Sequence, residues 1–266
     1  MGTGGSQSIA RTGWPPLDHD MKVHRQDVRV FDRKDYISSF IINTWKEISQ
    51  EVIKRKRAFC AALSGGRTPV GLYRKLSGVK EMLPWDKTHI FLVDERFVSF
   101  EHRDNNYRML KETFLDYVPI PQGNIHPVPT NRPTPRISAM AYEEELKKFF
   151  GLSKDQFPEF DLLLLGIGED GHTASLFPGS PVLDDTIHLA APVSMDEVRH
   201  ARITLTLPVI NNAKHILFLV VGKNKAPALQ KIIDKEDTSL PASMVHSKKG
   251  NVIFVIDREA SSQLSL

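Results

Sequence analysis

Apolar residues in this chain follow two patterns, short unbroken runs and longer stretches that repeat every three to four residues. The clearest run is Leu162-Leu163-Leu164-Leu165, with no polar residue between its leucines. Such a run is typical of a strand buried on both faces, as in a parallel sheet covered by helices. The stretch 34–56 instead spaces its apolar residues as a helix does. The alternation of the two patterns predicts strands separated by helices.

The same criteria predict elements along most of the chain. Strands are predicted at 28–31, 58–63, 89–93, 162–165, 188–193, 202–207, 215–221 and 252–256. Helices are predicted at 34–56, 69–76, 104–115, 136–150, 208–213 and 224–235, with a proline-rich surface connection over 119–135. Strands that alternate with helix-length segments imply an α/β fold. We therefore expect a doubly wound, mostly parallel sheet with helices on both faces.

Composition narrows the class of protein. The chain has 266 residues and a formal net charge of only +3. A charge this small does not indicate binding to nucleic acid or to a membrane surface. Its single cysteine, Cys60, excludes an internal disulfide and is expected in the core. No segment reaches the ~18 apolar residues of a membrane span. We expect a cytoplasmic protein with a disordered lead at 1–20 and one domain over 21–266; the oligomeric state stays open.

A glycine-rich turn with an acid–base pair follows the leucine strand. The segment Gly166-Ile167-Gly168-Glu169-Asp170-Gly171-His172 places three glycines at the end of a buried strand, where open α/β sheets bind ligands. A carboxylate and an imidazole two residues apart are the parts of a general acid–base site. The alternative is a polar turn after a core strand. Asp170 and His172 are the candidate catalytic residues.

A second glycine loop has the character of a phosphate-binding turn. The residues Ser64-Gly65-Gly66-Arg67-Thr68 lie between a predicted strand and a predicted helix. Paired glycines let the backbone approach an anion closely, and the following helix N-terminus offers free N–H groups and a partial positive charge. The loop is neither a P-loop nor a dinucleotide fingerprint, which disfavours ATP and NAD. The alternative is a flexible strand–helix turn.

Charged side chains stand near the ends of other predicted strands. Asp94 and Arg96 directly follow one strand, Arg202 begins another, and Lys225 lies near the start of a helix. Charges in such positions are solvated, paired or functional. The three cations are candidate phosphate ligands, and Asp94 is a candidate partner for a sugar hydroxyl. An Asp–Arg ion pair and a solvated lysine are the alternatives.

Together these motifs resemble the 6-phosphogluconolactonase family, from about residue 28 to residue 257. The most specific part is the stretch 166–179, which reads Gly-Ile-Gly-Glu-Asp-Gly-His-Thr-Ala-Ser-Leu-Phe-Pro-Gly. The supporting motifs are Ser64-Gly65-Gly66-Arg67-Thr68-Pro69, Asp94-Glu95-Arg96, Arg202-Ile203-Thr204-Leu205-Thr206 and Asn224-Lys225-Ala226.

The resemblance implies a modified Rossmann-like fold and an enzyme that hydrolyses 6-phospho-D-glucono-1,5-lactone to 6-phospho-D-gluconate in the oxidative pentose phosphate pathway. It implies no metal and no organic cofactor, and the ten histidines show no metal-ligand spacing. It assigns His172 as general base and acid with Asp170 as its partner, and N–H groups of the glycine turn are expected at the oxyanion. The residues expected to bind the substrate and its phosphate are Ser64, Gly65, Gly66, Arg67, Thr68, Asp94, Arg96, Arg202 and Lys225.

Two alternatives accompany this interpretation. Glucosamine-6-phosphate deaminase/isomerases share several of these motifs but carry Phe-Asn-Glu-Pro shortly after the Asp-Gly-His triplet, and that glutamate assists ring opening. Here Phe177 replaces the glutamate, and a phenyl ring transfers no proton. A non-catalytic sugar-phosphate sensor is the second alternative. It is disfavoured because no recognition helix is visible before residue 28 and because Asp170 and His172 are both present.

Overall fold

Seven parallel strands form the central sheet of the computed structural model, which describes residues 27–56, 58–194 and 199–265. The ten described strands are β1 (Asp27–Phe31), β2 (Phe59–Leu63), β3 (Thr88–Leu92), β4 (Asp94–Arg96), β5 (Ile125–His126), β6 (Leu162–Leu165), β7 (Ala190–Val193), β8 (Arg202–Leu205), β9 (His215–Val220) and β10 (Asn251–Asp257). The described α-helices are α1 (Lys34–Arg55), α2 (Val70–Gly78), α3 (Asn106–Thr113), α4 (Pro135–Phe150), α5 (Leu207–Asn211) and α6 (Ala226–Ile233).

The order of the strands creates a crevice in the middle of the sheet. It runs β1-β10-β9-β6-β2-β3-β5, and all of its pairings are parallel. From β2 the chain moves outward through β3 to β5, whereas from β6 it moves the other way through β9 to β10. The direction reverses between the neighbours β2 and β6. Open α/β sheets bind ligands at such a point, outside the carboxyl ends of the strands.

The predicted strands 188–193 and 202–207 lie in a second sheet, and the expectation that they join the parallel sheet is wrong. This sheet has the order β4-β8-β7 and is antiparallel. Its first strand, β4, is the charged segment that directly follows the predicted strand 89–93 and for which we predicted no strand. A three-residue strand is too short to show an alternation of polar and apolar residues. The proline-rich connection likewise contains a two-residue strand, β5.

The apolar runs of the sequence lie where the pattern predicts, in the core. All four leucines of β6 are at most 1% exposed, and Ala61, Ala62 and Leu63 of β2 are fully buried beside them. Cys60 is also buried, and burial raises the pKa of its thiol to about 12. A thiol with so high a pKa is a poor nucleophile at neutral pH, so Cys60 is a core residue, as predicted.

Two predictions about domain organisation, the disordered lead and the single domain, are not tested by the described residues. The predicted lead at 1–20 lies outside the described residues. We retain one domain over 21–266 as a proposal, because β1 and β10, at opposite ends of the described chain, are neighbours in one sheet. Among the helices of the described residues, none combines the length and the apolar character needed to cross a membrane.

Candidate active site

An open cavity lies at the carboxyl edge of the parallel sheet, where β2 and β6 are side by side. Four segments form its wall: the loop after β2, the start of the second sheet with α3, the turn after β6 and the loop after β9. Its lining includes nine predicted residues, Ser64, Gly65, Gly66, Arg67, Thr68, Asp94, Arg96, His172 and Lys225. The other two predicted residues, Asp170 and Arg202, are outside the lining but next to residues in it. Asp170 is hydrogen-bonded to His172, and Arg202 is paired with Arg96 in the neighbouring strand.

His172 and Asp170 form a hydrogen-bonded pair in the turn after β6. The distance from His172 Nδ1 to Asp170 Oδ1 is 2.6 Å, and the backbone N–H of His172 donates to the same oxygen at 3.2 Å. The hydrogen bond from His172 lowers the pKa of Asp170, which keeps this carboxyl ionised. An ionised acceptor places the imidazole proton on Nδ1 and leaves Nε2 with a free lone pair. The His172 side chain is 34% exposed, so water reaches it.

The turn that carries this pair depends on glycine at position 168. Gly168 N–H donates to the carbonyl of His172 at 2.8 Å, and Gly171 N–H donates to the carbonyl of Gly168 at 3.2 Å. A Cβ on Gly168 would lie 2.1 Å from His172 Nδ1 and 2.3 Å from Asp170 Oδ1. Because both amides are used within the turn, neither Gly168 nor Gly171 has an N–H left for an oxyanion, contrary to expectation for these two.

The loop after β2 presents polar groups that lack protein partners. Ser64 is buried, and its Oγ has no hydrogen-bond partner among the described residues. The backbone of the loop is fixed from below, because Tyr73 Oη donates to the carbonyl of Ser64 at 2.6 Å. Helix α2 starts directly after the loop, and no side chain caps its first turn. A buried hydroxyl and free helix N–H groups beside a cavity are suited to a bound anion.

Two arginines are cross-strand neighbours in the second sheet. Arg96 and Arg202 are directly opposite in the β4–β8 pairing, and the buried Nε of each has no hydrogen-bond partner within the described part of the chain. Burial, together with the neighbouring charge of Arg96, lowers the pKa of Arg202. Two like charges held close together without a hydrogen-bonded carboxylate are stabilised by an anion. Arg96 lines the cavity, whereas Arg202 supports it from outside the lining.

The Asp–Arg ion pair that we considered for residues 94–96 does not form among the described residues, because Asp94 has other partners. Asp94 Oδ2 accepts a 2.6 Å hydrogen bond from Ser175 Oγ, and its carbonyl accepts one from Asn106 Nδ2 at 3.0 Å. The Asn106 carboxamide lies against Gly65, where a Cβ would be 1.9 Å from Asn106 Oδ1. Asn106 lines the cavity, and we did not predict it. A polar asparagine beside the Asp94 segment was the available signal.

Glu95 points away from the cavity and organises its wall. This fully buried carboxylate accepts backbone N–H groups from Arg96 at 2.7 Å, Asn106 at 2.7 Å and Tyr107 at 2.8 Å. It thereby binds the N-terminus of α3 to β4. Burial raises the pKa of Glu95 to about 7, although the three amide donors favour the ionised form and limit the rise. The positions of Arg96 and Asn106 therefore depend on a side chain outside the cavity.

We expect Glu95→Gln to show a pH-dependent effect on stability. The native pKa of Glu95 is about 7, above the ordinary value of 4.5, so the native state binds more protons than the unfolded state between these two values. The contribution of Glu95 is therefore complete below pH 4.5 and declines as the pH rises through 7. Glutamine does not titrate, so the wild type should lose on the order of 3 kcal/mol relative to the variant over that range.

Urea unfolding of both proteins at pH 5 and pH 8 measures this difference. Glu144→Gln is the matched control, because the Glu144 side chain is 74% exposed and its replacement should leave the pH dependence of wild type unchanged. A free-energy difference between wild type and Glu95→Gln that is the same at both pH values would contradict the prediction.

The loop after β9 holds Lys225 at the cavity. Gly222, at φ +100°, donates its N–H to the Asp257 carboxylate at 3.0 Å. Asn224 Nδ2 donates to Glu169 Oε1 at 2.6 Å, which links this loop to the turn that carries His172. Lys225 lines the cavity and is partly buried, while Lys223 is exposed and lies outside the lining. The two lysines of one short loop therefore have different environments.

Comparison with known proteins gives the site a family context. Residues 32–254 match the family model described as glucosamine-6-phosphate isomerases/6-phosphogluconolactonase. The chain is 43% identical over 205 residues to 6-phosphogluconolactonase from Synechocystis, which covers 76% of this chain and 83% of the relative. It is 41% identical over 216 residues to 6-phosphogluconolactonase from Nostoc, covering 80% and 88%.

A solved structure supports the same grouping. The crystal structure of 6-phosphogluconolactonase from Thermotoga maritima superposes with a TM-score of 0.75 at 30% identity, covering 88% of this chain and all of that one. The chain therefore shares its fold with a solved 6-phosphogluconolactonase.

Proposed function

This chain belongs to the family of glucosamine-6-phosphate isomerases and 6-phosphogluconolactonases, and we infer that His172 is the general base with which it hydrolyses 6-phospho-D-glucono-1,5-lactone to 6-phospho-D-gluconate. Lactone hydrolysis is the activity named for relatives at 41–43% identity. The assignment of His172 rests on one observation, the 2.6 Å pair of His172 with Asp170 in a cavity whose other polar groups suit an anion.

The proposed reaction needs one group that changes its protonation state. His172 Nε2 removes a proton from water as the water oxygen bonds to C1 of the lactone, and the electrons of the carbonyl bond move to its oxygen. The tetrahedral intermediate then collapses, the bond from C1 to the ring oxygen breaks, and the Nε2 proton passes to that oxygen. Asp170 holds the tautomer and stabilises the imidazolium formed between the two steps. No covalent enzyme intermediate is required, because a lactone is already an activated ester.

The phosphate is proposed to bind away from the reacting carbon. Its ligands are the hydroxyls and N–H groups of the 64–68 loop with Arg96 and Lys225, while Arg202 reinforces the positive field behind Arg96. Asp94 and Asn106 are also in the lining, and their oxygen atoms suit sugar hydroxyls. A non-reacting phosphate held at one end orients C1 for attack at the other.

The position of Phe177 favours a lactonase over an isomerase. The Phe177 ring packs 4.6 Å from the His172 ring, at the place in the motif where the related deaminases carry a glutamate. A phenyl group next to the imidazole supplies no second proton-transfer group for ring opening. It also shields one face of the imidazole from water, which restricts the directions from which a water molecule reaches Nε2.

The direct test is an assay on two substrates. We expect the purified protein to accelerate hydrolysis of 6-phosphogluconolactone generated in situ, at a pH low enough to slow the spontaneous reaction, and to release no ammonia from glucosamine 6-phosphate. Ammonia release without lactone hydrolysis would favour the isomerase branch of the family. Absence of both activities in a folded protein would exclude both proposals. We also propose a cytoplasmic location, as expected from the sequence.

Lys225→Ala is expected to raise KM about 10- to 100-fold with a smaller change in kcat. A hydrogen bond between a charged donor and a phosphate contributes about 1.5–3 kcal/mol, and this one is proposed to act equally in the bound substrate and the transition state. Steady-state kinetics on the lactone measures the effect. Lys223→Ala is the matched control, because Lys223 is exposed in the same loop and outside the cavity. Equal KM values for the two variants would remove Lys225 from the phosphate site.

A further inference from the structure

Three metal-ligand side chains meet outside the cavity, on the far side of Arg96. Within residues 27–56, 58–194 and 199–265, His102, Asp104 and His200 form the one group of three that brings a ligand atom of each side chain within 4.8 Å of the other two. His200 Nε2 lies 3.0 Å from Asp104 Oδ2, and His102 Nδ1 lies 4.0 Å from the same oxygen. The two imidazole planes are nearly perpendicular, at 78°. We propose that these three side chains bind a Zn²⁺ ion.

The donor set and its spacing are suited to zinc. Two imidazoles and a carboxylate with an open fourth position match the ligands of three-residue zinc sites. In a tetrahedral site with bonds of about 2.0–2.1 Å, ligand atoms are about 3.3 Å apart. The 3.0 Å separation of His200 Nε2 from Asp104 Oδ2 is close to that value. His102 Nδ1 accepts a hydrogen bond from the Asp104 backbone N–H at 3.1 Å, so His102 must release this bond and move closer to Asp104 Oδ2 when the ion binds. All three side chains are partly exposed, so an ion can enter from solvent.

Two arginines compete for the carboxylate and set an upper limit on affinity. Arg199 Nη1 lies 3.5 Å from Asp104 Oδ2, and Arg103 Nε lies 3.9 Å from Asp104 Oδ1. Their side chains are 65% and 74% exposed, and exposed pairs at these distances are weak. Both guanidiniums can therefore move into solvent when a cation binds. Because their charge and that of Arg96 oppose a dication, we expect a dissociation constant in the micromolar range rather than the nanomolar range.

The position of the site gives it a structural role. His102 and Asp104 lie in the loop between β4 and α3, whereas His200 precedes β8, so one ion would cross-link the segment that follows one arginine-bearing strand to the segment that precedes the other. The carbonyl of Asp104 accepts a 2.8 Å hydrogen bond from Arg96 Nη1. A Zn²⁺ ion on the Asp104 side chain would therefore restrain the residue that holds the Arg96 guanidinium.

Calorimetric titration of the metal-free chain with Zn²⁺ tests the proposal. We expect one ion per chain, a micromolar dissociation constant and a higher melting temperature with Zn²⁺ that EDTA reverses. His102→Ala and His200→Ala should each weaken binding at least about tenfold, while Arg199→Ala should strengthen it. His172→Ala and His188→Ala are the controls, because each removes a close His–Asp pair of the described residues, at 2.6 Å and 2.9 Å, and both should bind as wild type does.

Each other outcome contradicts the proposal. A chain that binds no Zn²⁺ at millimolar concentration has no such site. Binding that survives in both His102→Ala and His200→Ala, or that disappears in His172→Ala, places the ion elsewhere. Circular dichroism of each variant separates loss of ligand from loss of fold. Since none of these measurements uses lactone, the result is independent of the proposed reaction.

Discussion

Replacing His172 by alanine is expected to lower kcat for the lactone by about 10²–10⁴-fold, the range typical of a lost general acid–base group. Alanine has no group that accepts a proton from water or returns it to the ring oxygen. The phosphate ligands lie in other segments, so KM should change little. Hydrolysis is measured at a pH where the uncatalysed reaction is slow, because that background limits the loss that can be observed.

His188→Ala is the matched control for this variant. His188 Nδ1 lies 2.9 Å from Asp185 Oδ2, so the chain contains a second His–Asp pair of similar geometry that is absent from the cavity lining. We expect His188→Ala to retain wild-type kcat. If His172→Ala also retains it while folded, or if the two variants lose activity equally, His172 is not the base.

Gly168→Ala is expected to lose nearly as much activity as His172→Ala, although it removes no catalytic atom. The added Cβ would lie 2.1 Å from His172 Nδ1 and 2.3 Å from Asp170 Oδ1, well inside van der Waals contact. The imidazole and the carboxylate must both move, and displacement of a reacting group by about 1 Å costs on the order of 10²-fold in rate. The loss should appear in kcat. A kcat within a few-fold of wild type would show that the pair tolerates displacement.

Gly166→Ala separates this steric effect from any general sensitivity of the turn. A Cβ on Gly166 would meet no atom within 4 Å, so the same methyl group two residues earlier leaves the His172–Asp170 pair in place. We expect its loss of kcat to be clearly smaller than that of Gly168→Ala. Melting temperatures of both variants test whether the fold is intact. Equal losses of kcat would mean that position 168 has no special role.

The sequence predicted most of the fold because the buried strands are unbroken apolar runs. The leucines of β6 and the apolar residues of β2 leave no alternative to a core position, and the helices between them require parallel pairing. The second sheet was not predictable from the same pattern. Its strands are three or four residues long, and their antiparallel pairing depends on contacts between distant segments that periodicity does not encode.

Some residues of the candidate site could likewise be predicted from the sequence, and others could not. His172, Asp170 and the 64–68 loop are adjacent to glycine at strand ends, and such local patterns are visible in one sequence. The role of Glu95 was not visible, because its partners are backbone N–H groups of a helix that begins more than ten residues later. Asn106 was missed for a related reason: its importance lies in its packing against Gly65, a contact between the first residue of α3 and the loop after β2.

The pairing of β1 with β10 has a consequence for the order in which the molecule is assembled. β1 is the first described strand to leave the ribosome, and β10, the last, is its one neighbour in the sheet. The segments that form the cavity are all synthesised before β10, since they end at Lys225. β1 therefore has no partner strand through most of translation, whereas α1 can already pack on β2 through the contact of Trp45 with Phe59. The residues of the cavity are thus synthesised before the strand that closes the sheet, and the loop that carries Lys225 gains its hydrogen bond to Asp257 only once β10 has been made.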